Sequence, residues 1–263
     1  MILLLRFFIL TIVLTLIGCG HSNEPERKPP GILSAAEYAG VGFLDTTDAV
    51  CTGTLISARI VLTAGHCVIG RKASQLHFTL SPEPLKVTDS AYADAIRVAI
   101  HPQYNDKEET PGVDVAAIQL SSPTYDYAVT SFLALGSEQG LVAGSPLWNI
   151  GYGENWDGSH ALKRAKEVSF QDLTELVTLT ALLPKGLVQV ARGRGGEIGC
   201  GGDSGSPLIR ESPSGPAIIG VYSTSEGSAN KRAPEKSDCR HGITTGYYIA
   251  VDSFKAWVEH LNW

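Results

Sequence analysis

The chain predicts an all-β architecture closed by one C-terminal helix. Three observations carry this. From Tyr38 onward, short apolar runs are separated by clusters of Gly, Pro, Asp and Ser, the spacing of an antiparallel sandwich or barrel and not of alternating strand–helix units. The 263 residues include 28 Gly and 14 Pro but one Met, a turn-rich composition. Val251, Phe254, Trp257, Val258 and Leu261 recur at helical spacing, which predicts an amphipathic helix packed on the core over about 251–262.

Taken in order, the first element is not a strand. Met1 to Ile17 is almost wholly apolar, with Arg6 its sole charge. The run from Phe7 to Ile17 has the length of a signal-peptide core and is short for a bilayer span. It ends in Leu16-Ile17-Gly18-Cys19, which resembles the bacterial lipobox. That resemblance implies cleavage after residue 18 and a diacylglycerol on the Cys19 thiol, placing the protein in the cell envelope, lipid-anchored. An ordinary cleaved signal, giving a secreted protein, or an uncleaved anchor is the plainer alternative. Residues 19–36, rich in charge and proline, read as a solvated tether. The remaining 37–263 read as the folded part. Its predicted strands are Tyr38–Leu44, Thr52–Ile56, Ile60–Thr63, Leu76–Leu80, Ala95–Ile100, Val115–Leu120, Leu147–Tyr152, Ala217–Ser223 and Gly246–Val251. Gly193-Arg194-Gly195-Gly196 fits no phosphate loop and reads as a mobile loop.

A net charge of −6 argues against the electrostatic binding of nucleic acid, which a basic stripe would drive. The five cysteines divide informatively. Cys51 and Cys67 bracket a strand pair, and Cys200 has Cys239 downstream. Disulfides Cys51–Cys67 and Cys200–Cys239 would leave Cys19 alone and imply an oxidising compartment. Metal binding competes, but no Cys-x-x-Cys or paired-His spacing supports it.

Three motifs carry chemistry. Gly199-Cys200-Gly201-Gly202-Asp203-Ser204-Gly205-Ser206-Pro207-Leu208 sets a serine among glycines. Substrate can approach such a hydroxyl closely, and the surrounding backbone can aim N–H groups at a developing oxyanion. Thr63-Ala64-Gly65-His66-Cys67 places a histidine just after a predicted buried strand. Asp114 heads the apolar run Val115 to Leu120. Asp94 and Asp106 are alternatives to Asp114, though neither leads such a strand. His21, His77, His101, His160, His241 and His260 read as ordinary polar residues. Gly202-x-Ser204 is not a hydrolase nucleophile elbow, because residue 206 is serine and not glycine.

These motifs resemble the trypsin/chymotrypsin-like serine proteases, from about Gly42 to the carboxyl end. Cys51-Thr52-Gly53-Thr54-Leu55-Ile56, His101-Pro102-Gln103-Tyr104-Asn105 and Gly151-Tyr152-Gly153 add to the likeness. The resemblance implies two antiparallel six-stranded β-barrels dividing near residue 140, with the site in the crevice between them. It implies a serine endopeptidase working through an acyl-enzyme. His66, Asp114 and Ser204 would be catalytic, in the His–Asp–Ser chain order of that family. The N–H groups of Gly202 and Ser204 would form the oxyanion hole. Ser223 would hydrogen-bond Asp114. Ile198 would sit at the base of the primary substrate pocket, with Ser225 and Gly246 on its walls and Thr224 where many relatives have tryptophan. An isoleucine at that base offers no counter-charge to a cationic side chain, so cleavage after uncharged residues is expected. The partner is a protein or peptide substrate, the acting unit a monomer. The chemistry needs no cofactor or metal, and no carboxylate-rich loop resembles a calcium site.

The chain departs from the family pattern in two places. Ser206 stands where the common motif has a second glycine. No Ile-Val-Gly-Gly-like segment is present to supply the cleaved amino terminus that, in zymogen-type members, pairs with the residue matching Asp203. Ile32-Leu33 is the nearest candidate and lies close to Cys51 for that role, so Asp203 is expected to find an arginine or a backbone donor. The 226–238 segment could reshape the pocket or be a solvated loop. Two rival functions use the same residues differently: a noncatalytic binding module on a protease fold, and an esterase with the same triad.

Overall fold

The computed structural model describes residues 38, 40–107, 113–124, 132–154, 161–171, 187–192, 198–212, 214–227 and 243–263. The signal segment, Cys19, the tether, Ile32-Leu33, His160, Gly193 to Gly196, Cys239, His241 and most of 226–238 lie outside these residues.

The described chain is mostly strand. β1 (Val41–Asp45), β2 (Val50–Leu55), β3 (Ile60–Thr63), β4 (His77–Thr79), β5 (Ala93–Ile100) and β6 (Ala116–Leu120) form a closed barrel in the order β1-β2-β3-β6-β5-β4. All its pairings are antiparallel. Val, Ile, Thr and Phe recur through these strands, as a pleated, half-buried surface favours. Leu44, Leu55, Val61, Leu76, Phe78, Ile118 and Leu120 fill the barrel interior.

The second sheet contains β7 (Ala134–Leu135), β8 (Pro146–Gly151), β9 (Arg164–Phe170), β10 (Leu187–Arg192), β11 (Pro207–Arg210), β12 (Ala217–Gly227) and β13 (Ile243–Ala250). Its order is β11-β8-β9-β10-β13-β12-β7, and β11 also pairs with β12. Six of these strands therefore run round in a ring, while β7 adds in parallel to β12. Leu147, Val168, Val188, Val190, Ile198, Leu208, Ile219 and Tyr248 fill it. The sequence reading missed β7, β9, β10 and β11. In β9, Arg164, Lys166 and Glu167 interrupt the apolar pattern, although Lys166 points into the interior, 1% exposed.

Two further apolar clusters join the barrels. Val41 and Phe43 meet Ile150, Tyr152 and Ile209 on one side. There the rings of Phe43 and Tyr152 stand edge to face, centroids 5.6 Å apart. Leu62, Val113 and Val115 meet Val221, Ile249 and Phe254 on the other. The C-terminal stretch enters as a 3-10 turn over Val251–Ser253 and then α1 (Lys255–Glu259), shorter than the predicted helix. Phe254 and Val258 are its buried anchors. Among the described residues no helix is long and apolar enough to cross a membrane.

Candidate active site

Three segments converge where the barrels meet. After β3 the chain passes through extended Ala64 into a 3-10 turn, Gly65–Cys67, that carries His66. The Cys51–Cys67 disulfide ties this turn to β2. Asp114 stands two residues before β6, 2% exposed. Ser204 lies in the tight turn that leads into β11.

Asp114 is fully engaged. Its Oδ2 lies 2.7 Å from His66 Nδ1 and accepts the Ser223 hydroxyl at 2.6 Å. Its Oδ1 accepts the His66 N–H at 2.8 Å. Burial alone would raise this carboxyl, but the His66 ring, the Ser223 hydroxyl and the His66 N–H outweigh it and hold the group below its ordinary value. An ionised carboxylate can only accept, so Nδ1 of His66 carries its proton and Nε2 presents a lone pair. The imidazole side chain is partly open to solvent, 37% exposed against 3% for Asp114. Asp94 instead pairs with His77 on the surface, 2.7 Å away.

The Ser204 turn is fastened to both barrels. The Thr52 N–H donates to the Ser204 carbonyl at 2.8 Å, and the Gly205 N–H to Tyr222 O at 2.8 Å. The Thr52 hydroxyl donates to Gly202 O at 2.9 Å. Cys67 Sγ lies 3.7 Å from Ser204 O, so the serine backbone abuts the histidine turn. Gly205 has φ +83°, and a Cβ there would fall 2.2 Å from Thr63 Oγ1 and 2.3 Å from Thr52 O. Only glycine fits such a position. Among the described residues the N–H groups of Gly202 and Ser204 donate to no acceptor, and the Ser204 hydroxyl makes no hydrogen bond. Serine–base bonds are often long before substrate arrives. Ser206, the departure from the glycine pattern, is buried and accepts the Asn149 amide at 2.5 Å.

The trypsin family model matches residues 34–258. This chain belongs to the trypsin family. It is similar to phenoloxidase-activating enzyme 1 of Spodoptera litura, 26% identical over 92% of this chain and 68% of that protein. A trypsin of Saccharopolyspora erythraea is 26% identical over 70% and 79%. Chymotrypsin-like elastase family member 1 of Macaca fascicularis is 25% identical over 78% and 82%. The chain is a serine endopeptidase with the mostly β, chymotrypsin-like fold of this family.

The remaining predicted residues of this trypsin-family chain fall as follows. Ile198 is 3% exposed and packs within the second barrel. Ser225 is half-buried and Gly246 buried, paired with each other across β12 and β13. Cys200 is disulfide-bonded, but Cys239 lies outside the described residues. Cys51, His66 and Cys67 bring potential metal-ligand atoms within 4.8 Å, yet both sulfurs are spent in one disulfide, so no thiolate is available to a metal.

Two residues that shape the site were missed from sequence. Lys166 pairs with Asp203 at 2.6 Å, where arginine or a backbone donor was expected; backbone donors are present as well. Tyr222 donates its hydroxyl to Gly199 O at 2.9 Å and lies edge-on to Tyr248. Its ring sits so close beneath Gly199 that a Cβ there would fall 2.5 Å from Tyr222 Cε2. Neither has a local motif; each is an ordinary residue of a strand.

Proposed function

We propose that the endopeptidase works through His66, Asp114 and Ser204. The carrying observation is the Asp114–His66 pair, 2.7 Å through Nδ1, on a turn whose next residue, Cys67, abuts the Ser204 carbonyl. His66 takes the Ser204 hydroxyl proton as Oγ bonds to the scissile carbonyl carbon. The oxygen that becomes negative is received by the N–H groups of Gly202 and Ser204, which have no acceptor among the described residues. His66 then returns the proton to the leaving amine as the C–N bond breaks, giving an acyl-enzyme. Water repeats the sequence: its proton goes to His66 as its oxygen bonds to the acyl carbon, then the acyl C–Oγ bond breaks, the proton returns to Ser204 Oγ, and the carboxylic acid product leaves.

The side chain on the acyl side of the cut would be small and uncharged. Ile198 supplies no counter-charge, and the Tyr222 ring fills space beside Gly199 and Gly246. The lipobox-like segment supports anchoring to the bacterial cell envelope through lipid on Cys19.

A fluorophosphonate should label the full chain covalently, and Ser204→Ala should abolish labelling and lower kcat by about 10⁴-fold or more. Labelling that survives Ser204→Ala would refute the assignment. A preference for ester over amide substrates far beyond their intrinsic reactivity would favour the esterase. Mass spectrometry of protein from membranes should find diacylglycerol on Cys19, lost in Cys19→Ala; an unmodified thiol there would refute anchoring.

A further inference from the structure

The Asp203 carboxylate is sealed inside the protein, 0% exposed, between the two residues whose N–H groups face the reacting oxygen. Oδ1 accepts the Gly153 N–H at 2.9 Å. Oδ2 accepts the Cys200 N–H at 2.8 Å and Lys166 Nζ at 2.6 Å. Backbone closes the rest of the space: a Cβ on Gly151 would lie 2.1 Å from Oδ1, and one on Gly153 would lie 2.5 Å from Cγ. Lys166 is equally buried, and its ammonium also donates to Glu154 O at 3.2 Å. It thus clamps the 152–154 segment and the 200–204 turn together, reinforced where Glu154 N–H donates to Gly201 O at 3.0 Å.

We infer that Lys166 is the positioning residue that sets the Gly202–Ser204 turn, so that the site is assembled by folding alone, without a liberated amino terminus. This rests on the reading of Ser204 as nucleophile. The physical reason is that a buried carboxylate without a cation would leave its site for water, and it cannot move without turning the peptides on either side of it. The cation comes from β9, which pairs with β8 at Lys166 and Asn149. The ion pair is therefore internal to the second barrel and needs nothing from residues before Val41. Gly202, at φ +94°, can swing once that restraint is lost.

The test uses the full chain and the variants Lys166→Met, Lys166→Arg and Lys166→Met with Asp203→Asn. The readouts are the fluorophosphonate labelling rate per folded molecule, kcat and KM on a peptide amide, and the intact mass of the labelled species. Labelled wild-type protein should be uncut between residues 20 and 41. Lys166→Met should lower labelling and kcat by about 10²-fold, the scale of losing an oxyanion donor, with KM within threefold. Lys166→Arg should recover at least a tenth of the rate. If Lys166→Met does not fold, the double variant removes both charges and should fold, yet label slowly. Wild-type labelling rates in folded Lys166→Met or in the double variant would overturn the inference, as would labelling that appears only after a cut between residues 20 and 41. A wild-type chain that never labels would overturn the nucleophile reading and this inference together, a different outcome from failure of the lysine alone.

Discussion

In the proposed substrate pocket, substrate choice would turn on Tyr222. A phenol held by Gly199 O, packed on Tyr248 and buried to 2% exposure, is a fixed wall, because moving it would orphan its hydroxyl. Burial also pushes its ionisation well above the ordinary tyrosine value, so it remains a neutral donor across the working range. Replacing it with valine would open space beside Ile198 and Gly246. In Tyr222→Val, kcat/KM for substrates with a large apolar side chain at the cut should rise at least tenfold relative to alanine, a shift of about 1–3 kcal/mol in pocket binding. A peptide-library profile unchanged by the substitution would remove Tyr222 from the pocket.

At the level of elements, the arrangement depends on how the turn after β3 is held. Gly65–Cys67 is a single 3-10 turn with no side-chain cap, which by itself has little stability. The disulfide to Cys51 fixes it to β2 across a separation of 16 residues. In the chain-entropy account, a loop of that size contributes about 3 kcal/mol by restricting the unfolded chain. Replacing both cysteines by alanine should lower the urea midpoint, with a slope no shallower because the freed unfolded chain exposes more surface, and also reduce kcat, because His66 rides on the turn. An unchanged midpoint would show that strand packing alone holds the turn. The strands around it are short, nearly continuous apolar runs and could be read in advance. β9 could not, because Lys166 occupies an inward position where the pattern calls for an apolar residue.

The molecule as a whole should be acid-sensitive in two steps. His101 is buried against Trp257, centroids 5.1 Å apart, and its Nδ1 accepts the Gln103 N–H at 3.3 Å. Burial lowers its basicity below the ordinary value of 6.5. The unfolded chain therefore takes up this proton first, and stability present above about pH 6.5 falls as the pH drops below it. Asp114, also held below its ordinary value of 3.8, adds a second loss as pH falls through and below that value. Thermal midpoints measured from pH 8 to pH 3 should decline in both windows, and His101→Gln should flatten the upper one. A midpoint that rises on acidification from pH 7 to 5 would contradict this assignment.

Sequence alone was enough for the β-rich class and for singling out His66, Asp114 and Ser204 as candidates, because glycine-bound turns and short apolar runs are local properties. Lys166 and Tyr222 were decided only by the fold. Lys166 is buried beside a carboxylate 37 positions away in the chain, and Tyr222 lies under Gly199 only because β12 lays it there. Such roles depend on what surrounds a side chain in space, and neighbouring residues along the chain carry no record of that environment.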